Sequence, residues 1–236
     1  MVRSNQKHEI LLGITGRTLR EMKKKIIECE NLGITRVSLF LEFLSEKKKK
    51  RVYELLIDSK IKEIPFVHLR NDMSSEELKF LEKRFKTKYF NLHLNSFNYL
   101  EKWKGHHNKL LLELGYTKKH KSPYLFKKQF QKIKGFCIDL SHFKAAKERG
   151  RIEYNFVMKY KNSPEKFIAN HLNGYSKFWK RDLHKPKNKK QLDYLKELPN
   201  FLFGKYIALE MFNSIKQQLG YKKYIQHILK DKIKIS

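Results

Sequence analysis

Six short apolar runs recur along the chain, and each is closed by a side chain that can ionise or bind a metal: PFVHLR at His68, FNLHLN at His93, LLLELG at Glu113, FCIDLSH at Asp139 and His142, FIANHLNG at His171, and IALEMFN at Glu210. They follow one another at intervals of roughly 20 to 40 residues, room for a strand, a helix and two loops, which is the repeat of a βα barrel. Runs this short and this uniformly apolar suit strands buried on both faces, and so predict parallel pairing. In a barrel of that kind the C-terminal strand ends carry the chemistry. A carboxylate closing a strand such as LLLELG stands in a crevice with little water, and it needs a metal or a cationic partner to stay ionised. His68 or His93 alone would read as a satisfied core histidine; six such ends in succession read as a site.

A chain of 236 residues suits one (β/α)8 barrel domain over residues 1–236, since α/β barrels commonly fill this length. No Pro/Gly/Ser-rich stretch divides it. Strands are expected at Glu9–Ile14, Arg36–Phe40, Ile64–Val67, Tyr89–Leu92, Lys109–Leu112, Gly135–Ile138, Phe167–Asn170 and Tyr206–Leu209. Helical spacing appears from Thr18, around Arg51–Asp58, around Leu78, Leu81 and Phe85, over Tyr124–Ile133, from Phe143, and over Ser214–Leu229. Ser96–Asn108 leaves room for a short helix only, and Ile152–Lys159 reads partly as strand. Alternation of this kind favours right-handed crossovers.

The N-terminal apolar run is too short for a secretory signal, and nowhere do 18 apolar residues run together, so a soluble, intracellular, cytoplasmic protein without a membrane partner is expected. Cys29 and Cys137 cannot build a disulfide framework or a zinc-thiolate site, and Cys137 reads as packing. The formal charge of +29, from 53 basic and 24 acidic residues, favours a polyanionic partner, with nucleic acid leading. The competing reading is a lysine-rich composition without function, since 43 of those basic residues are lysine. No obligate protein partner is evident.

Between the seventh and eighth strands lies a basic loop, GYSKFWKRDLHKPKNKK, containing Asp182 and His184. One intervening residue in extended backbone puts both side chains on one face, where they can meet one metal. The candidate ligands are then His68, His93, Glu113, Asp139, His142, His171, Asp182, His184 and Glu210. Five histidines and four carboxylates exceed the needs of one zinc and suit three ions. An all-N/O set favours zinc, with manganese or iron as alternatives.

This order of residues resembles the endonuclease IV family of abasic-site endonucleases, within the xylose-isomerase-like barrels, from about His68 to Glu210. CIDLSHF is similar to that family's Cys-Ile-Asp-x-x-His, HLNG to its His-Leu-Asn-Asp, and RDLH to its Asp-Arg-His; Gly174 stands where the family has an aspartate. The resemblance implies one metal on His68, His93 and Glu113, a second on Glu113, Asp139, His171 and Glu210, and a third on His142, Asp182 and His184. Glu113 and Glu210 take catalytic roles as well. It implies cleavage of duplex DNA 5′ of abasic sites in base excision repair, leaving a 3′-hydroxyl. Two ions close together suit attack on a phosphodiester, and a third helps to neutralise the phosphoryl oxygens and the leaving alkoxide. The alternatives are a sugar isomerase or epimerase of the same superfold, which has no obvious use for His93 and the Asp182–His184 pair, and a non-catalytic nucleic-acid-binding barrel. Rim candidates for phosphate contact are Arg17, Arg70, Lys118, Lys119, Lys177, Lys180, Arg181 and Lys185, with Trp179 and Tyr175 able to stack on an exposed base. The Lys47–Lys50 run reads instead as solvated side chains at a helix start.

Overall fold

The first strand is split in two, and the split closes the barrel. In the computed structural model, which describes residues 7–114, 124 and 127–235, β1 (Glu9–Leu11) pairs in parallel with β11 (Tyr206–Leu209), while β2 (Gly13–Ile14) pairs with β3 (Arg36–Phe40). The Ser38 amide donates to the Leu12 carbonyl between the two halves at 2.9 Å. At Gly13 a Cβ would lie 1.9 Å from the Leu209 carbonyl oxygen, so the close approach of the two strands requires glycine. The buried Gln218 side chain bonds both the amide and the carbonyl of Gly13, at 2.8 and 3.0 Å, replacing ladder partners lost at the break.

From β3 the ring continues through β4 (Glu63–His68), β5 (Tyr89–Leu92), β6 (Leu110–Leu114), β7 (Gly135–Asp139) and β8 (Phe167–Leu172), each paired in parallel with the next, to β11. With β1 and β2 counted as one strand, this is the eight-stranded α/β barrel expected from the apolar runs. Inside it, Leu11, Phe40, Phe66, Leu111, Cys137, Ala169 and Ala208 form one buried cluster, while a larger one fills the space between strands and helices. Burial pushes the Cys137 thiol up to about 11, in keeping with its reading as packing.

Helix starts follow local side-chain chemistry. Thr18 caps α1 (Leu19–Asn31), and Ser74 caps α3 (Ser75–Phe85), each in a reciprocal capping box with Glu21 or Glu77. Helix α2 (Glu46–Ile57) begins earlier than the apolar spacing indicates, because the lysine run is good helix former. One of its lysines is not solvated: Lys49 is fully buried, its ammonium 2.7 Å from Glu77 and 3.7 Å from Asp72. After β5 a 3-10 segment, Leu94–Trp103, replaces a regular helix, as the short spacing required. Helix α4 (Lys127–Phe130) precedes β7 and α5 (Leu140–Glu148) follows it. The strand-like Ile152–Lys159 is instead helical, as α6 (Ile152–Met158). Phe156 and Val157 are buried there, and Phe156 lies 5.3 Å from both Phe130 and Tyr160, so packing overrides β-propensity.

Past β8 the chain forms a small antiparallel hairpin of β9 (Gly174–Ser176) and β10 (Arg181–Leu183), then a 3-10 segment, Lys189–Glu197, before β11. Helix α7 (Ile215–Leu229), capped by Ser214, completes the outer layer. No helix among the described residues is long and apolar enough to cross a membrane.

Candidate metal centre

Parallel strands all end at the same rim, so residues closing different runs converge there. His68 is the last residue of β4, His93 follows β5, Glu113 lies in β6, Asp139 closes β7, His171 lies in β8 and Glu210 follows β11. His142 sits in the first turn of α5, and β10 brings in Asp182 and, one residue beyond it, His184. All nine candidate ligands meet there, in three connected groups.

The first group is His68, His93 and Glu113. The two Nε2 atoms are 2.8 Å apart, and Glu113 Oε2 is 3.3 Å from His68 and 3.4 Å from His93. Donor atoms about 2.0–2.1 Å from a zinc ion at tetrahedral angles stand roughly 3.3 Å from one another, close to the edges of this triangle. The second group shares Glu113. Its Oε2 lies 3.5 Å from Nδ1 of the fully buried His171, and Glu210 Oε2 lies 3.4 Å from the same nitrogen. Glu113, Asp139 and His171 can offer ligand atoms within 4.8 Å of one another. In the third group, His142 Nε2 is 3.3 Å and His184 Nε2 3.1 Å from the two oxygens of Asp182. His142 Nδ1 also lies 3.7 Å from Asp139 Oδ2, which joins this group to the second.

Polar side chains of the barrel hold the carboxylates in place. Asp139 Oδ1 accepts the His142 amide at 2.8 Å as the N-cap of α5 and the Ser141 hydroxyl at 2.7 Å, which leaves Oδ2 facing the site. Asn173 Nδ2 donates to Asp139 Oδ2 at 3.2 Å and to Glu210 Oε2 at 3.3 Å, and Asn91 Nδ2 donates to Glu113 Oε2 at 2.7 Å. Below, Phe40 and Phe66 pack against the His171 ring, with centroids 5.1 and 5.7 Å away.

The electrostatics are those of a cation site. Burial disfavours the charged form of His68, His142, His171 and His184, yet their neighbours outweigh it. His68 is raised by Glu113 and Glu42, and His171 is raised well above its ordinary value by Cys137, Glu113 and Glu210. His142 is pushed up to about 10 by Asp139 and Asp182, and His184 to about 9 by Asp182 and Glu210. Burial likewise opposes ionisation of Glu113 and Asp182, but the neighbouring histidines hold both carboxyls low. The carboxylates that raise these imidazoles would attract a divalent cation by the same Coulomb attraction, and the imidazoles would release their protons on binding it. His171 Nδ1 is buried without a hydrogen-bond partner among the described residues. Leaving such an atom unpaired is costly, and coordination would satisfy it. The donor set and its spacing fit zinc, and would also accept manganese or iron.

Two kinds of residue escaped the charge pattern. Asn91 and Asn173 carry no charge and sit inside motifs already marked by their histidines. Glu42 obeys the same strand-end rule, closing VSLFLE after β3, and it can join His68 and His93 in a group whose ligand atoms lie within 4.8 Å of one another.

Among the rim cations, Arg17, Lys177, Lys180, Arg181 and Lys185 are exposed, as is Trp179. Arg17 lies over the Phe212 ring at 4.9 Å. Arg70 is differently placed: its guanidinium bonds Asp72 at 2.7 and 2.8 Å and the carbonyls of Leu41 (2.7 Å) and Leu44, so it holds the loop after β3. Tyr175 is buried and donates to Glu148 at 2.5 Å, so it cannot stack on a base as its sequence position suggested. Lys118 and Lys119 lie outside the described residues.

Fold and site together define an eight-stranded α/β barrel with an all-N/O cluster of candidate metal ligands on its C-terminal rim. No protein-family model and no curated protein matches the sequence. Among solved structures, a xylose isomerase domain protein from Planctomyces limnophilus is similar at 9% identity, covering 97% of this chain and 98% of that one with a TM-score of 0.49. The N-(5'-phosphoribosyl)anthranilate isomerase from Pyrococcus furiosus is similar at 11% identity over 94% of this chain and 99% of that one, with a TM-score of 0.40.

Proposed function

We propose that the protein is a metal-dependent phosphodiesterase resembling endonuclease IV, which cuts a DNA strand 5′ of an abasic site and leaves a 3′-hydroxyl. The observation that carries this reading is the third ligand group. His142, Asp182 and His184 converge at 3.1–3.3 Å and join the other two groups through Asp139. A proton shuttle between sugar carbons needs one or two ions, whereas a phosphodiester places negative charge on several oxygens at once and has use for three. Bound divalent ions supply Lewis acidity and neutralise charge on the phosphoryl group.

The chain's own residues set the geometry. Glu113 links the first two groups through one carboxylate, and Asn91 fixes its orientation. Asn173 spans Asp139 and Glu210, so those two carboxylates keep their separation without repelling each other apart. Burial of His68, His171 and Asp139 keeps water from the floor of the site. Exposed Arg17, Lys177, Lys180, Arg181 and Lys185 offer the flanking phosphates donors that carry no base information.

The test combines elemental analysis of the purified protein with incision of a duplex oligonucleotide containing one abasic site. About three ions per chain and a product ending in a 3′-hydroxyl are expected. Full metal occupancy with aldose–ketose interconversion and no incision would replace this reading with a sugar isomerase. Salt-sensitive DNA binding without turnover would replace it with a binding barrel.

A further inference from the structure

The hairpin that delivers Asp182 and His184 to the cluster carries two bare aromatic rings at its tip. Phe178 is 87% and Trp179 56% exposed, the two most exposed large apolar side chains among the described residues. Apolar surface of this kind at a loop end needs a reason. The tip is also braced. Arg149 donates to the Trp179 carbonyl at 2.9 Å and to the Lys180 carbonyl at 3.1 Å, and Ser176 Oγ accepts the Trp179 amide at 3.3 Å. Lys180 turns the chain in the left-handed region at φ 49°, a strained conformation for a residue with a side chain. The Arg181 guanidinium lies 5.1 Å from the Trp179 ring centroid, and the Phe178 ring meets Trp179 edge-on at 5.7 Å. Lys177, Phe178, Trp179, Lys180 and Arg181 thus form an aromatic pair set among cations. Only Lys180 and Arg181 separate Trp179 from Asp182, so even fully extended backbone places their Cα atoms within about 10 Å.

We propose that Phe178 and Trp179 are a stacking platform for an unpaired nucleobase on the strand whose phosphate lies at the metal cluster. This inference rests on the phosphodiesterase reading and narrows its substrate to nucleic acid with a base freed from the stack near the cut. An aromatic face accepts any base, and surrounding cations hold the backbone. An anionic bilayer could also take up a basic aromatic tip. Nucleic acid is favoured because the same hairpin feeds Asp182 and His184 into a polar site that a bilayer would leave unused.

The two tryptophans make the test direct. Trp103 is fully buried and Trp179 is exposed, so emission changes on ligand addition report the tip. Single-stranded oligothymidylate titrated into the intact protein should quench the emission saturably, and a fully paired duplex should quench it less. Trp179→Ala should abolish the quenching, and both Trp179→Ala and Phe178→Ala should weaken binding of a labelled oligothymidylate roughly 5- to 150-fold, with unchanged circular dichroism. Equal quenching by heparin, a polyanion without bases, would overturn the platform. So would a blue shift with phosphatidylserine vesicles in place of a response to oligothymidylate. Incision of abasic DNA without quenching removes the platform and leaves the phosphodiesterase; quenching without incision does the reverse.

Discussion

One oxygen atom, Glu113 Oε2, stands within 3.5 Å of His68, His93 and His171 and accepts a hydrogen bond from Asn91. No other carboxylate of the cluster faces three imidazoles, so its charge holds the first two groups together. Glu113→Gln keeps the volume and removes that charge. Turnover should fall at least 100-fold, about 2.7 kcal/mol in the barrier at about 1.4 kcal/mol per decade. Bound metal should fall with it, while circular dichroism stays that of the native barrel. Glu42→Gln is the matched control. Glu42 is exposed and stands farther off, 3.9 Å from His93 with His68 also in reach, and it joins no two of the groups, so its loss should cost less. Activity of the Glu113 variant within about threefold of wild type would mean that the cluster does not work through this carboxylate.

At the level of elements, the hairpin shows why position 174 is a glycine. A Cβ at Gly174 would lie 2.8 Å from Pro186 Cβ and 3.2 Å from the Leu183 carbonyl oxygen. Introducing aspartate should therefore damage the site, because overpacking of about 1–3 kcal/mol would be relieved by moving β10 and the candidate ligands it carries. Gly174→Asp should melt earlier and bind less metal; a variant with native melting and full metal content would show that the hairpin has slack. The strands, by contrast, were legible at once: β3, β5 and β11 have the bounds that the apolar runs indicated, since burial on both faces leaves no ambiguity of period. The ligands were legible because parallel strands put every run's end at one rim. Lys49 is not, because the side chains that draw it inward, Glu77 in α3 and Asp72 in the loop before it, lie elsewhere in the sequence, and a lysine run carries no mark of which member turns inward. Ile152–Met158 was misread because Ile, Tyr, Phe and Val favour strands, while the buried face of α6 is decided by Phe130, Phe136 and Tyr160. Asn91 and Asn173 become visible only once the carboxylates they hold have been placed.

For the whole molecule, the cluster gathers four carboxylates and five histidines in a chain of net charge +29, and its candidate ligands come from β4, β6, β7, α5, β8 and β10 together with the segments after β5, β10 and β11. Ions held there would tie together strands that are far apart in sequence, so that the barrel could not unfold around them without releasing them. Binding to the folded state alone stabilises by about 2.7 kcal/mol when free metal is 100 times its Kd. For a domain of this size each kcal/mol moves Tm by roughly 2–4 °C. Stripping a single site should therefore lower Tm by roughly 5–11 °C, and more when several sites empty. Calorimetry before and after chelation, with metal content measured on the same samples, reads this directly, and zinc added back should restore the melting point. An unchanged Tm in protein shown to have lost its ions would mean that those ions do not tie the strands together at this rim.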